Sequence, residues 1–213
     1  ITNQGDNSVS VIDTNTNTVI LTIAVGHRPA GVVVSNNGKR VYISNPESKN
    51  ISVIDTKTLT NIKTIKIGSG PLAIAISPDD QSVYVADWYE DSIFIVDTVS
   101  LSIRNKIKVG DSPSGLVVNP DGQFLYVANR DENTVMIINL SENKIVDTIE
   151  AGIAPFGLAL NTKRNELYSA NVRSNNISVI NLHTKKIMNI KVGNFPYAIA
   201  VDNIDERLFV TNQ

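Results

Sequence analysis

Val11-Ile12-Asp13-Thr14 is the first copy of a short motif that decides the fold, because it returns at steps of 42 residues. The later copies are Val53-Ile54-Asp55-Thr56, Ile95-Val96-Asp97-Thr98, Ile137-Ile138-Asn139-Leu140 and Val179-Ile180-Asn181-Leu182. A fixed sequence period of this length is typical of solenoids and propellers. The chain is therefore predicted to repeat one structural unit five times.

Two further markers keep the same spacing. One is a glycine followed three residues later by proline, at Gly26/Pro29, Gly68/Pro71, Gly110/Pro113, Gly152/Pro155 and Gly193/Pro196. The other is a tetrad that ends in Asn or Asp: Tyr42-Ile43-Ser44-Asn45, Tyr84-Val85-Ala86-Asp87, Tyr126-Val127-Ala128-Asn129, Tyr168-Ser169-Ala170-Asn171 and Phe209-Val210-Thr211-Asn212. With these markers the chain resembles the YVTN β-propeller repeats of bacterial and archaeal surface proteins, over essentially its whole length. The resemblance implies a propeller fold and an extracellular or cell-surface location.

Each repeat is predicted to contain four strands. In the repeat from Pro113 to Gly152, three apolar runs are separated by polar turns, and the last segment, 144–149, alternates polar and apolar residues. Such alternation is typical of an outer strand with one face in water, whereas a continuous apolar run favours a strand covered on both faces. We therefore expect the first strand of each repeat to be innermost and the fourth to be outermost.

The predicted fold is all-β, a β-propeller of four-stranded antiparallel blades in a single domain over residues 1–213. The N-terminus supplies strands three and four of one blade, at 8–13 and 18–25, and the C-terminus supplies strands one and two, at 198–201 and 208–211. We expect these remnants to pair in a composite blade that closes a ring of five, because closure removes exposed sheet edges. Many relatives have seven blades, so a ring truncated from a larger parent is the alternative.

Composition excludes several classes of function. The 213 residues carry 19 basic and 21 acidic side chains without a basic stripe, which argues against a nucleic-acid partner. Cysteine is absent, so disulfides and thiolate metal sites are excluded, and no apolar run approaches the length of a transmembrane helix. Because the chain begins at Ile1 within a repeat, we expect any signal peptide, anchor or flanking domain to lie outside this sequence.

Binding residues are expected on the face where two sets of loops gather: those joining the fourth strand to the next first strand, and those joining strands two and three. These loops vary between repeats and carry several aromatic and charged residues. Aromatic residues on a loop face are suited to stacking on a sugar or to anchoring a protein partner; the alternative is that they cover neighbouring loops. The predicted ligand-binding residues are Trp88, Tyr89, Phe195, Tyr197, His27, Arg28, Asp111 and Arg130, whereas Phe156 is assigned to packing.

Signs of enzymatic chemistry are weak. Only His27 and His183 are present, far apart in any propeller, and no nucleophile elbow, P-loop or dinucleotide motif occurs. Asp202, Asp205 and Glu206 offer a possible calcium turn, but a solvated acidic turn is the preferred interpretation. We therefore predict no metal, no cofactor and a non-catalytic module that binds protein or carbohydrate. The alternatives are a lactonase-type or lyase-type enzyme at the central channel and a purely structural cell-envelope unit.

Overall fold

The computed structural model describes residues 1–202, 204 and 206–213, which form 21 β-strands and no helix. The strands up to residue 108 are β1 (Thr2–Asn3), β2 (Ser8–Asp13), β3 (Thr18–Ala24), β4 (Val32–Val34), β5 (Arg40–Asn45), β6 (Asn50–Asp55), β7 (Thr60–Lys66), β8 (Pro71–Ile76), β9 (Ser82–Asp87), β10 (Ser92–Asp97) and β11 (Ser102–Lys108). The remaining strands are β12 (Pro113–Val118), β13 (Phe124–Asn129), β14 (Thr134–Asn139), β15 (Lys144–Glu150), β16 (Pro155–Asn161), β17 (Glu166–Asn171), β18 (Asn176–Asn181), β19 (Ile187–Lys191), β20 (Pro196–Asp202) and β21 (Arg207–Asn212).

The described strands form antiparallel sheets, and each sheet consists of strands that are consecutive in the sequence. Four of these sheets have the four strands of a complete propeller blade: sheet 2 (β4–β7), sheet 3 (β8–β11), sheet 4 (β12–β15) and sheet 5 (β16–β19). Sheet 1 contains β1, β2 and β3, and sheet 6 contains β20 and β21. The predicted all-β propeller of four-stranded blades is confirmed.

The predicted composite blade is wrong. Strand β1 pairs with β2, with Thr2 opposite Val9 and Asn3 opposite Ser8, and so takes the place that the sequence analysis gave to the C-terminal strand. The reason is visible in the sequence, because Ile1-Thr2-Asn3 lies 42 residues before Ile43-Ser44-Asn45 and is itself the end of a second strand. The described residues therefore form six sheets in place of the five expected blades.

The chain divides into two compact units, Ile1–Lys106 and Ile107–Gln213, with the division inside β11. In the first unit, one core joins sheets 1 and 2 around Ile43 and Ile54, and another joins sheets 2 and 3 around Val53 and Val85. In the second unit, the corresponding cores join sheets 4 and 5, and sheets 5 and 6. The prediction of a single domain over residues 1–213 stays a prediction.

Burial is greatest in the second and third strands of each complete sheet. Strand β9 is buried at all six positions, whereas inner strand β8 is largely half-buried. The expectation that inner strands are covered on both faces is therefore wrong; the middle strands are protected because they have a strand on either side and a neighbouring sheet against their faces. The outer strands of sheets 2–4 are mostly exposed, and each has one buried residue, an isoleucine: Ile65, Ile107 or Ile149.

The Asp or Asn of the first motif closes the hairpin between the third and fourth strands. Asp55 Oδ1 accepts hydrogen bonds from the backbone N–H groups of Lys57 and Thr58, at 2.9 and 2.8 Å. These bonds, that of Thr58 first, lower the pKa of Asp55, as a carboxylate that accepts backbone N–H groups should. Asp13, Asp97, Asn139 and Asn181 form the same local turn. The repeated motif is thus a turn signal that fixes hairpin geometry.

Candidate binding face

The two predicted loop sets contact each other within each unit, and the surface that they form in a unit is called its loop face below. In the first unit, Trp88 N–H donates to the Gly70 carbonyl at 2.9 Å. In the second unit, Arg130 N–H donates to the Ser112 carbonyl at 3.2 Å, and Val172 N–H to the Ala154 carbonyl at 2.9 Å. These backbone bonds hold each loop after a fourth strand against a loop between strands two and three.

The recurrent glycine of these loops is required by close packing more often than by backbone conformation. A Cβ atom at Gly26 would lie 2.6 Å from the Cβ of Asn45, and one at Gly152 would lie 2.5 Å from Nδ2 of Asn171. Among the five recurrent glycines, only Gly68 has a positive φ. The left-handed conformation falls instead on the residue before proline: Arg28, Ser112, Ala154 and Phe195, with φ between 48° and 59°.

An asparagine that sequence reasoning missed holds this left-handed residue. Asn7 Oδ1 accepts the N–H of Arg28, Asn133 Oδ1 that of Ala154, and Asn175 Oδ1 that of Phe195, each at 2.9 Å. The three asparagines lie at the same position of their repeats, so the 42-residue spacing could have revealed them. Each bond joins the left-handed residue to an asparagine of another loop and so helps to fix the loop conformation.

The β7–β8 loop departs from this arrangement. The position corresponding to Asn7 is Lys49, whose ammonium group cannot accept a hydrogen bond. Asp87 holds the loop in its place: its Oδ2 accepts the N–H groups of Ser69 and Gly70 at 2.7 and 2.9 Å. Its Oδ1 accepts those of Tyr89 and Glu90 at 3.2 and 2.9 Å. One fully buried carboxylate thus fixes both loops of the loop face at sheet 3.

Tyr89 is presented to solvent by this loop pair. Its side chain is 73% exposed, yet its ring packs against Gly70, where an added Cβ would lie 2.4 Å from Cδ2 of Tyr89. The ring therefore has one supported side and one open side. Trp88, the neighbouring aromatic residue, is half-buried.

His27 and Arg28 lie in the β3–β4 loop and are both exposed. The N–H of His27 donates to the Ser48 hydroxyl at 2.7 Å, and Arg28 Nη1 forms an ion pair with Glu47 Oε1 at 3.2 Å. Both partners come from the β5–β6 loop. In the first unit, the candidate residues thus lie in two loop pairs, one beside sheet 2 and the other beside sheet 3.

Phe195 and Tyr197 occupy the β19–β20 loop and the start of β20. Phe195 is 51% exposed, and its left-handed φ of 48° is uncommon for a bulky residue. Tyr197 is half-buried and makes an edge-to-face contact with Phe156, with ring centroids 5.2 Å apart. The expected packing role of Phe156 agrees with this contact, which also gives the Tyr197 ring a partner inside the fold.

Asp111 and Arg130 lie in adjacent loops of the second unit, together with Asp131. Asp131 Oδ1 pairs with Arg130 Nη1 at 2.8 Å, and its Oδ2 accepts a hydrogen bond from the Ser112 hydroxyl at 2.6 Å. The Asp111 carbonyl accepts the N–H of Asp131 at 3.3 Å. This cluster brings a carboxylate, a guanidinium and a hydroxyl together, a combination that can bind polar groups or move a proton.

Among the described residues, no group of three or more His, Cys, Asp or Glu side chains is placed to hold a metal ion. Of the acidic turn considered for calcium, Asp205 lies outside the described residues. Asp202 pairs with Arg207 at 3.1 Å, and Glu206 pairs with Arg164. The Glu206 carboxylate has a lowered pKa because the Arg164 guanidinium donates to it. The part of the chain that the structure describes also contains no helix suited to span a membrane.

Comparison with known proteins agrees with the propeller class that the sheets define. The family model described as "Lactonase, 7-bladed beta-propeller" matches residues 95–201, half of the chain. The chain belongs to this family. A comparison with curated proteins found no match.

Two solved structures are similar in fold. A functionally unknown protein from Desulfotomaculum acetoxidans DSM 771 is 16% identical with a TM-score of 0.87, and the alignment covers all of this chain and 72% of that chain. A Kuenenia stuttgartiensis hydrazine synthase chain is 18% identical with a TM-score of 0.71, at 99% and 91% coverage. At these identities the likeness concerns the fold alone. The closer resemblance to YVTN surface repeats stays a prediction.

Proposed function

We propose that this propeller is a non-catalytic binding module of an exported or cell-surface protein, which engages a protein or a glycan through its loop face. The observation that carries the proposal is Tyr89, whose ring is 73% exposed while its other side rests on Gly70. A large ring held on a rigid loop loses little conformational entropy on binding and offers a flat surface for a sugar ring or an apolar side chain.

The loop architecture supports the same proposal. Asp87 is fully buried and accepts four backbone N–H groups, an arrangement that keeps the loop beneath Tyr89 in one conformation. Phe195 is likewise exposed on a loop that is held by Asn175. Preorganised loops that carry different side chains on a repeated scaffold are typical of recognition surfaces.

A glycan array and a pull-down from cell-envelope extract would test the proposal and separate its two ligand classes. Tyr89→Ala should leave the thermal midpoint nearly unchanged, since an exposed side chain loses few contacts. It should weaken binding by about 2 kcal/mol if Tyr89 is an anchor. Phe209→Ala is the matched control, because Phe209 is 57% exposed on strand β21, away from the loop ends. Equal losses for both variants would indicate general stickiness of exposed rings and reject the loop face.

A lactonase-type activity is the second candidate, favoured by the family match over residues 95–201. Lactone hydrolysis adds water across the ring ester bond and gives a hydroxy acid, so it needs a base for the water and a donor for the carbonyl oxygen. Asp131 and Arg130, which are 2.8 Å apart, offer these two groups. Acid release from a panel of lactones, abolished by Asp131→Asn, would establish this function in place of the binding role.

A further inference from the structure

A groove of about 460 Å³ opens between sheets 4 and 5 in the second unit, beside the turns at the strand ends opposite to the loop face. Buried Tyr126 and Ile137 contribute to its floor, and half-buried Phe124 and Leu182 line it. Its volume lies within the range of about 300–1,000 Å³ that is usual for small-molecule sites. None of the predicted ligand-binding residues of the loop face lines this groove.

The corresponding groove in the first unit explains why this one is open. Between sheets 2 and 3 the space is about 160 Å³, and Arg40 lies across it with Nη1 donating to the Thr98 carbonyl. Two repeats later, the position of Arg40 is Phe124 and that of Thr98 is Leu182. The phenyl ring has no donor with which to bridge the two sheets, so the groove between sheets 4 and 5 lacks this closure.

A second set of hydrogen bonds that closes the groove between sheets 2 and 3 is also not conserved between sheets 4 and 5. Between sheets 2 and 3, Asp80 accepts hydrogen bonds from the backbone N–H groups of Asn36 and Asn37, at 2.7 and 2.9 Å. Two repeats later, the residue corresponding to Asn36 is Pro120, which has no N–H, and the one corresponding to Asp80 is Arg164. Both devices that close the first groove are thus replaced at the second by residues that cannot form the same bonds.

Charged side chains of both signs border the open groove. Asp121 and Asp147 come from sheet 4, whereas His183 and Lys185 come from the β18–β19 turn of sheet 5. Lys185 Nζ reaches across to Asp147 Oδ2 at 2.7 Å, and both side chains are partly exposed. The two carboxylates would repel an anionic ligand, and the lysine would repel a cationic ligand. A neutral ligand with many hydroxyl groups can instead donate to the carboxylates and accept from the lysine.

We propose that this groove binds a neutral monosaccharide unit. The hydroxyl groups would bond to Asp121 and to the Asp147–Lys185 pair, and the apolar face of the sugar ring would pack against Phe124 and Leu182. Such a site combines an apolar wall with a few convergent polar groups, as small-ligand sites commonly do. The proposal does not depend on the binding role of Tyr89 and adds a second site at the opposite ends of the strands.

Amide chemical-shift titration of the whole chain with neutral hexoses and N-acetylhexosamines would test the proposal. Shifts should concentrate at Phe124, Tyr126 and residues 182–185. Phe124→Arg introduces the residue that closes the groove between sheets 2 and 3 and should reduce affinity by at least about tenfold. Arg40 occupies the same position two repeats earlier, and an unchanged thermal midpoint would verify that the variant is folded.

Further arms distinguish the outcomes. Asp121→Asn should also weaken binding, whereas Phe209→Ala, which removes an exposed ring that does not line the groove, should not change it. Because the ligand is neutral, affinity should differ little between low and high salt, where an ionic ligand would be screened. No shifts with any neutral sugar, equal affinity for the Phe124→Arg variant, or stronger binding of arginine or glucuronate would each overturn the proposal.

Discussion

Replacing Asp87 by asparagine should destabilise the protein strongly although the two side chains have nearly the same shape. Asp87 is fully buried, and its two oxygens accept four backbone N–H groups at 2.7 to 3.2 Å. In the Asp87→Asn variant one oxygen becomes an NH₂ group, which donates and does not accept. Two of the four N–H groups therefore lose their acceptor and face another donor.

The expected cost follows from the number of bonds lost. A hydrogen bond to a charged group contributes about 1.5–3 kcal/mol, so two lost bonds correspond to about 3 kcal/mol at the lower end. For a chain of this length, 1 kcal/mol shifts the thermal midpoint by about 2–4 °C, which gives a decrease of about 6–12 °C.

Differential scanning calorimetry of the two proteins at neutral pH would measure this decrease. Asp55→Asn is the matched control, because Asp55 also accepts two backbone N–H groups but does so in an exposed turn, where water can replace them. Its midpoint should change less than that of Asp87→Asn. A decrease of under 2 °C for Asp87→Asn, or an equal decrease for both variants, would refute the idea that one carboxylate fixes the loop pair.

Three further predictions concern the scaffold. Gly115→Ala should cost about 3 kcal/mol in urea unfolding, because the new Cβ would lie 1.9 Å from the Phe156 carbonyl oxygen, whereas Gly5→Ala, with nothing within 4 Å, should cost far less. Hydrogen bonds from the Ser77 hydroxyl and then from the Gln81 N–H lower the pKa of Asp79. The stability that these bonds contribute is therefore present above the pKa of the unfolded state and lost on acidification. The urea midpoint should decrease below about pH 4, and it should decrease less steeply in Asp79→Asn. Chelator treatment should leave the thermal unfolding curve unchanged; a large downward shift would reveal a calcium site and contradict the prediction of no metal.

The sequence predicted the blades because their signals are local. The Asp or Asn at position 55, 97 or 139 closes a turn within three residues of itself, and the alternating outer strands show their exposure residue by residue. The composite blade failed because Ile1-Thr2-Asn3 is only the end of a tetrad and was not counted as a strand. The role of Gly26 and Gly152 also could not be derived from the sequence, since their neighbours Asn45 and Asn171 come from another strand.

The candidate sites were only partly predictable for a related reason. Tyr89 could be placed on a loop from the repeat alone, but its support by Gly70 and Asp87 depends on contacts between loops. The groove beside Phe124 was not predicted at all. The sequence does contain a signal for it, because Phe124 stands where an earlier repeat has Arg40. The effect of this difference on the groove depends on which residue of the adjacent sheet lies opposite, Thr98 or Leu182, and the sequence does not show that.

Two departures from the repeat, Lys49 and Asp87, should compensate each other in holding the β7–β8 loop. In three other loops an asparagine accepts the N–H of the residue before proline. For the β7–β8 loop the residue equivalent to these asparagines is Lys49. The acceptor is instead the buried Asp87, which stands where the other tetrads end in asparagine. Lys49→Asn in the Asp87→Asn background would supply the acceptor that serves Arg28, Ala154 and Phe195.

The double variant should therefore be more stable than Asp87→Asn alone, by about 1 kcal/mol, because a restored neutral hydrogen bond contributes about that much. Lys49→Asn by itself should change stability little, since Asp87 already satisfies the N–H of Gly70. A double-mutant cycle measured by urea unfolding gives the coupling energy directly. A coupling near zero would mean that Lys49 and Asp87 are independent substitutions and that the β7–β8 loop is held by contacts other than these hydrogen bonds.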